Sequence, residues 1–333
     1  MLLGNLLKLT SQKYKDIPVE GIAFNSKEVK KNYMFFAIDG NKTSGKKFIK
    51  EAILKGASVI IANKKIRKKI KTPTVIVKDT RESLAEACSK FYKKKPLNIV
   101  AVTGTNGKSS VADFFYQILS LNKRAVASIG TLGINSKNIK KKTNLTSLDP
   151  LFLHKNLRDL AVKKVNFVIL EASSHGLDQK RLNNLNIKIG IFTNFSHDHL
   201  DYHKNMKAYL NSKLYLFKTL LKKKSKIITD EGNKEFNIIK KISKKRNIAI
   251  ITIGKKSSNI KILNTKYKND KQIVKILIKK KIYKLKIPLI GYFQVKNLFM
   301  SVLAALQCGV KFNTIINKIH KIKPVAGRLE CVA

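Results

Sequence analysis

The chain has 333 residues, 44% of them hydrophobic, which is enough to bury a large core and, at ordinary domain size, points to two domains. No apolar run reaches the roughly 18 to 20 residues needed to cross a bilayer, and Met1-Leu-Leu-Gly-Asn-Leu-Leu-Lys8 lacks the charged start and long apolar stretch of a secretory leader, so a cytoplasmic protein without membrane insertion is expected. Basic residues outnumber acidic ones 69 to 20, giving a net charge of +49, yet only seven of the 69 are arginine and the lysines are spread along the chain; bidentate phosphate and base readout favours arginine, so no specific nucleic-acid partner is expected.

Cys88, Cys308 and Cys331 are odd in number and far apart, which excludes a disulfide framework or a CxxC metal site. In chain order, Met34–Ile38, Ala57–Ala62 and Thr74–Lys78 read as short buried strands, with helical stretches near 46–55 and 80–94. This is a small α/β unit, and Pro96 marks its end. A second series of strands is predicted at 97–102, 125–129, 165–171, 187–193, 226–229 and 248–253, with helices at 107–120, 205–222 and 233–244. Alternating strands and helices imply a mainly parallel, doubly wound sheet. Residues 258–287 alternate with lysine pairs and read as antiparallel ribbons; 291–308 and 311–321 return to helix. The expected domains are therefore 1–95 and 96–333.

The predicted strand 97–102 leads directly into Thr103-Gly-Thr-Asn-Gly-Lys-Ser-Ser110 and a helix, the setting of a phosphate-binding loop. Gly104 and Gly107 let backbone amides approach a polyphosphate, the helix directs its positive end at it, Lys108 supplies a cation and Ser109 a hydroxyl for Mg²⁺. Val102 stands where the general motif has its first glycine. Strand 165–171 ends in Glu171, a carboxylate placed beside that loop to hold Mg²⁺. The next strand ends in Asn194-Phe-Ser-His-Asp-His-Leu-Asp-Tyr-His203, whose histidines and aspartates are metal ligands or parts of a polar loop. Ser173, Ser174 and His175 lack the G-x-S-x-G elbow of a serine hydrolase.

The variant Gly-Thr-Asn-Gly-Lys-Ser resembles the phosphate loop of the Mur ligases and their folylpolyglutamate synthetase relatives. Glu171-Ala-Ser-Ser-His-Gly-Leu-Asp-Gln-Lys-Arg181 resembles the E-V-S-S-H-x-L-x-x-x-R segment of the tripeptide-forming Mur ligases, and Thr193–His203 their T-N-L-x-x-D-H-L-D-Y-H segment. Tyr209-Leu-Asn-Ser-Lys-Leu-Tyr-Leu-Phe217 is similar to the Y-x-x-x-K-x-x-L-F pattern, Gly291–Asn297 to G-x-F-N-x-x-N, and 322–330 to the P-V-P-G-R-M-E region. Asn25–Gly40 resembles the family's UDP-binding signature, which folylpolyglutamate synthetases lack.

The resemblance implies a small amino-terminal α/β domain that binds the UDP end of a substrate, followed by a central ATPase domain. It further implies addition of a third amino acid, diaminopimelate or lysine, to UDP-N-acetylmuramoyl-L-alanyl-D-glutamate in peptidoglycan synthesis, through an acyl phosphate. ATP would lie on Gly104, Thr105, Asn106, Gly107, Lys108, Ser109 and Ser110, with Asn297 near the adenine. Mg²⁺ would be held by Ser109, Glu171, His199 and Lys213, the last as a carbamate. Lys108, Glu171, His199 and Lys213 would carry the catalysis. Ser26, Thr146, Ser147, Ser173, Gln179 and Arg181 would face the UDP-sugar-peptide.

The third, carboxyl-terminal domain that receives the amino acid in this family, with its D-N-P-R motif, has no counterpart among the 333 residues. A monomer is expected, with that domain missing or supplied separately. Two other readings are a non-catalytic module that binds nucleotide and UDP-sugar without turnover, and a basic nucleic-acid-binding ATPase with steeply salt-dependent binding.

Overall fold

The computed structural model describes residues 1–9, 12–40, 43–64, 70–255, 258–268 and 271–325, so Cys331 and the 326–330 part of the last motif lie outside it. The chain divides into two compact units: residues 1–95 with 149–159 and 179–184, and residues 96–148 with 160–178 and 185–333.

The first unit is a four-stranded parallel sheet of β1 (Gly21–Ala23), β2 (Tyr33–Phe36), β3 (Ala57–Ala62) and β4 (Thr74–Ile76), in that order. Helices α1 (Leu3–Leu6), α2 (Ile49–Leu54) and α3 (Thr80–Phe91) belong to it. Alternation along β2 and β3 sends side chains to two cores. Met34, Phe36, Val59 and Ile61 pack with Leu84 and Cys88 of α3, whereas Phe35, Ile60 and Ala62 pack with Ile49 and Ala52 of α2. Asp79 starts α3 by accepting the Arg81 and Glu82 amides at 2.9 and 3.0 Å. Strand β1 went unpredicted, because its three residues are too short for an alternation to register.

The second unit is built on an eleven-stranded sheet. Its parallel strands are β5 (Asn98–Thr103), β6 (Val126–Gly130), β9 (Phe167–Glu171), β10 (Ile187–Phe192), β11 (Lys226–Asp230) and β12 (Ala249–Gly254). A hairpin of β7 (Gly133–Ser136) and β8 (Ile139–Lys141) closes one edge. The antiparallel ribbon β13 (Ile260–Lys268), β14 (Lys271–Ile278) and β15 (Lys281–Ile287) closes the other. The order is β15-β14-β13-β12-β11-β10-β5-β9-β6-β7-β8. Strand β5 therefore sits between β9 and β10, where the winding reverses, the place at which open α/β sheets bind ligands beyond their carboxyl ends.

Helices α4 (Lys108–Leu121), α5 (Pro150–Val162), α6 (Ser174–Asp178), α7 (Leu200–His203), α8 (Met206–Tyr215), α9 (Phe236–Arg246), α10 (Tyr292–Gln307) and α11 (Phe312–Ile316) complete the chain, and the 149–159 part of α5 groups with the first unit. Phe114, Phe115 and Ile118 of α4 and Leu298, Phe299 and Val302 of α10 share one core with Val100, Val102, Ile169 and Ile191 of the sheet. Each such fully buried side chain contributes roughly 1.5 to 3 kcal/mol. The structure thus has the mixed α/β architecture and parallel central sheet expected from the sequence. The predicted helix over 205–222 is α8 followed by a π-helical turn at Leu216–Leu220, and that over 311–321 breaks into α11 and a 3₁₀ turn at Ile319–Lys321.

Candidate functional site

At the carboxyl end of β5 the chain turns through Gly104 (φ 149°) and Gly107 (φ 83°) before α4 begins, conformations that favour glycine. Space also demands it. A Cβ on Gly104 would lie 1.9 Å from Thr193 Oγ1, and one on Gly107 would lie 2.7 Å from Asn297 Oδ1. No side chain caps the start of α4, the arrangement in which the first amides of a helix suit an anion. Lys108 folds back to donate to the carbonyls of Gly104 at 3.0 Å and Thr105 at 2.6 Å. Asn106 is clasped by Asn194, its amide bonded to Asn194 Oδ1 at 2.9 Å, while Thr193 Oγ1 donates to the Asn106 carbonyl at 2.6 Å. Ser109 and Ser110 are buried in the first turn of α4.

Glu171, only 3% exposed, ends β9. Ser109 Oγ donates to its Oε2 at 2.9 Å, Thr131 Oγ1 to the same atom at 3.1 Å, and the Thr131 amide to Oε1 at 2.9 Å. Burial raises the carboxyl's pKa, and those hydrogen bonds together with the Lys108 cation oppose the rise. Ser109 and Glu171 present a hydroxyl and a carboxylate side by side, hard oxygen donors of the kind Mg²⁺ selects. Gly130 leaves the room for this carboxylate, since a Cβ there would be 2.1 Å from Oε1.

Lys213 of α8 is 1% exposed and donates to the Gly104 carbonyl at 2.7 Å. Its Nζ lies 4.3 Å from the centre of the Tyr209 ring. Burial first, and the Lys108 cation second, bring its pKa down to about 6, so at neutral pH it is mostly a free amine. His199, in the left-handed region at φ 53°, belongs to an aromatic cluster: its ring is 5.1 Å from His175 and 5.9 Å from Tyr209. Tyr209 joins these parts, its hydroxyl 3.2 Å from Thr105 Oγ1 and its ring 5.2 Å from His203. Among the described residues, no three His, Cys, Asp or Glu side chains come together as a metal cluster. The predicted metal residues therefore form one directly bonded pair, Ser109 and Glu171, and two outliers, Lys213 at the phosphate loop and His199 in the ring cluster.

Asn297 approaches Gly107 and donates to Gln294 Oε1 at 3.3 Å, so Gln294 turns inward to hold Asn297. The substrate candidates divide between the two units. In the second unit Thr146 Oγ1 is 3.1 Å from Thr131 Oγ1, Ser147 Oγ donates to the Glu171 carbonyl at 2.8 Å, and Ser173 Oγ is 3.0 Å from Ser147 Oγ. These three join the Glu171 network. In the first unit Gln179 Oε1 accepts from Arg181 at 2.7 Å and from Arg81 at 3.5 Å, and Arg81 also donates to the Asp39 carbonyl at 2.9 Å. Ser26, at the start of the turn that Asn25 caps through the Lys27 amide, donates to Glu51 Oε2 at 2.7 Å.

Thr131, Tyr209 and the ion pair of buried Asp230 with half-buried Lys296, at 2.6 Å, escaped the sequence reading. Gly130-Thr131 at the close of a predicted strand, and Tyr209 one helical turn before Lys213, were the signals available.

A model of the Mur ligase middle domain matches residues 102–305, and one of the Mur ligase family catalytic domain matches 18–92. UDP-N-acetylmuramoyl-L-alanyl-D-glutamate–2,6-diaminopimelate ligase of Rickettsia montanensis is 40% identical over 98% of this chain and 68% of its own length. The protein of the same name from Rhizobium meliloti is 33% identical over 99% of this chain and 68% of its own. A solved structure of a ligase of that name superposes with a TM-score of 0.88 at 26% identity, over 98% of this chain and 68% of that one. MurF from Thermotoga maritima in complex with ADP, at 20% identity over 93% of this chain and 68% of that one, shares the fold with a TM-score of 0.64.

Proposed function

The chain belongs to the Mur ligase family, and from that premise we propose that it acts in the ATP-dependent joining of diaminopimelate to UDP-N-acetylmuramoyl-L-alanyl-D-glutamate. It spans about two thirds of the length of the relatives that carry this name. The observation that carries the reading is the phosphate loop bonded to a buried carboxylate through Ser109 and to a buried lysine through the Gly104 carbonyl.

The γ-phosphoryl group of ATP passes to the terminal carboxylate of the UDP-linked dipeptide, giving an acyl phosphate and ADP. The incoming amine then attacks the acyl carbon and phosphate leaves. Residues 104–110 cradle the polyphosphate with backbone amides, and Lys108 turns from the loop carbonyls to the phosphate oxygens. Asn297 and its inward partner Gln294 form the wall toward the adenine. Mg²⁺ would neutralise charge on the transferred group; Ser109 and Glu171 would hold one ion, with His199 the further ligand that the family resemblance implies, and Lys213 as a carbamate would serve a second.

Lys213 meets the first requirement of a carbamate, an unprotonated amine able to attack CO₂ at neutral pH, because burial keeps it deprotonated. Thr146, Ser147 and Ser173 offer hydroxyls to the dipeptide. Ser26, Gln179 and Arg181 serve the UDP-sugar end, the Arg181 guanidinium suiting its anionic groups. The work of these residues is positioning and electrostatic stabilisation rather than nucleophilic catalysis.

Calorimetry with UDP-N-acetylmuramoyl-L-alanyl-D-glutamate, with and without a non-hydrolysable ATP analogue, tests the proposal. Binding of both ligands and Mg²⁺-dependent ADP release that requires the UDP-dipeptide and diaminopimelate are expected. Absence of UDP-dipeptide binding sinks the substrate assignment, and binding of both ligands with no turnover selects the non-catalytic module instead.

A further inference from the structure

The antiparallel ribbon β13–β15 takes no part in this chemistry, and its two faces differ sharply. Val274, Ile276, Leu285 and Ile287 point inward and are buried in the main core, which fixes the ribbon's orientation. The other face is lysine with interleaved apolar side chains. Residues 260–287 hold ten lysines, no arginine and one acidic residue, Asp270.

The register places like charges against one another. Lys275 of β14 stands directly opposite Lys284 of β15, and Ile273 lies between Lys266 and Lys286 on the same face. Directly opposed like charges destabilise an antiparallel pair. The turn from β14 to β15 adds to the cost, since Lys279 (φ 46°) and Lys280 (φ 65°) both occupy the left-handed region that Asn-Gly pairs normally fill. Among the described residues no ion pair involves this ribbon.

Protection of a sheet edge explains lysines on β15 and Lys266 on the part of β13 beyond its short pairing with β12, but not Lys275, which is paired with β13 on one side and β15 on the other. A nucleic-acid reader would carry arginine for bidentate phosphate contacts. Here the cations alternate with apolar groups on one face: Ile273 stands opposite Lys266 and Lys286, and Ile282, two residues before Lys284, is 65% exposed. Lysine stems and ammonium heads around such side chains suit the headgroup layer of a bilayer.

We propose that the outward face of β13–β15 docks this protein on an anionic membrane surface, lysines on lipid phosphates and Ile282 and its neighbours in the headgroup layer. No described helix is long and apolar enough to cross a membrane, so the attachment is peripheral and reversible.

Vesicle sedimentation tests this. The wild-type chain should pellet with vesicles of phosphatidylcholine and phosphatidylglycerol, stay in solution with phosphatidylcholine alone, and lose its affinity as salt rises. The pair Lys275→Gln and Lys284→Gln should weaken partitioning by about 25-fold, roughly five-fold per lysine. Its thermal midpoint should match or exceed wild type, because a repulsive pair is removed. A control with the same charge change on α9, Lys240→Gln and Lys244→Gln, should lower partitioning less than about two-fold by long-range charge alone. Equal losses from both variants, or equal binding to neutral vesicles, would overturn the proposal. So would ribbon-dependent binding of single-stranded DNA tighter than of anionic vesicles, which would assign the face to nucleic acid.

Discussion

Lys213 and Lys180 carry the same side chain in surroundings that act on it in opposite directions. Lys213 lies in the second unit with a carbonyl as its hydrogen-bond partner and Lys108 as a neighbour, and burial takes its pKa down to about 6. Lys180 lies in the first unit. Burial pulls it down as well, but Asp79 at 2.8 Å and Glu82 at 3.0 Å outweigh that and hold its pKa above the ordinary lysine value. Burial alone yields an amine able to react; burial with carboxylates yields a fixed cation. The first arrangement costs stability and serves chemistry, and the second ties residues 179–184 to the start of α3.

The largest expected effect follows from removing Lys213. Between its folded value of about 6 and the ordinary 10.5, the unfolded chain binds a proton here that the folded chain does not. Stability from this position is therefore complete above about 10.5 and is lost as pH falls toward 6. Lys213→Met removes the deficit and should stabilise the chain by roughly 2 to 4 kcal/mol at pH 7, with no gain near pH 11. Phosphoryl transfer should fall by about 1,000-fold or more and ignore added bicarbonate. Urea unfolding at the two pH values and single-turnover ADP formation are the measurements; an active, unstabilised variant would remove Lys213 from the site.

The next effect tests whether the close packing around the phosphate loop is as tight as its glycines imply. Gly104→Ala would drive a methyl to 1.9 Å from Thr193 Oγ1 at a φ of 149°. A loss of about 3 kcal/mol and a large rise in the KM for ATP are expected. Adding Thr193→Ala removes the colliding oxygen, so the double variant should be more stable than Gly104→Ala alone. Simple additivity of the two losses would mean that the loop shifts rather than collides.

These two positions also show why some of the site was legible in the sequence. Gly104 and Gly107 could be read because the backbone allows little else there, and Glu171 because an apolar strand led to it. Lys213 could be read only through its flanking pattern, since nothing in one lysine among dozens announces burial. Thr131 was missed because it lies in the turn between β6 and β7, and the four residues of β7 give alternation too little length. The grouping of 149–159 and 179–184 with residues 1–95 was likewise invisible, because both segments sit between strands of the other unit in the chain and their contacts are made in space, Leu151 against the Met34 core and Lys180 against Asp79. Local periodicity carries neither.

The smallest effect concerns Lys180 itself. Its raised pKa means that its contribution to stability is present below the ordinary lysine value of 10.5 and is lost only as pH climbs through the folded value. On the acid side the partner decides: burial acts to raise the Asp79 pKa, yet the Lys180 hydrogen bond and the Arg81 and Glu82 amides bring the net value down, so the pair fails as pH drops through that lowered value. Both partners keep some solvent contact, and screening limits the pair to less than about 1 kcal/mol. Lys180→Met should thus lower the urea midpoint slightly at pH 7 and 0.05 M salt, with the difference shrinking at 1 M salt and vanishing near pH 2. ATP binding by the second unit should not change. A loss of several kcal/mol that persists in high salt would instead mark the Lys180 stem as a packing element, and the contrast with Lys213 would then rest on burial rather than on charge.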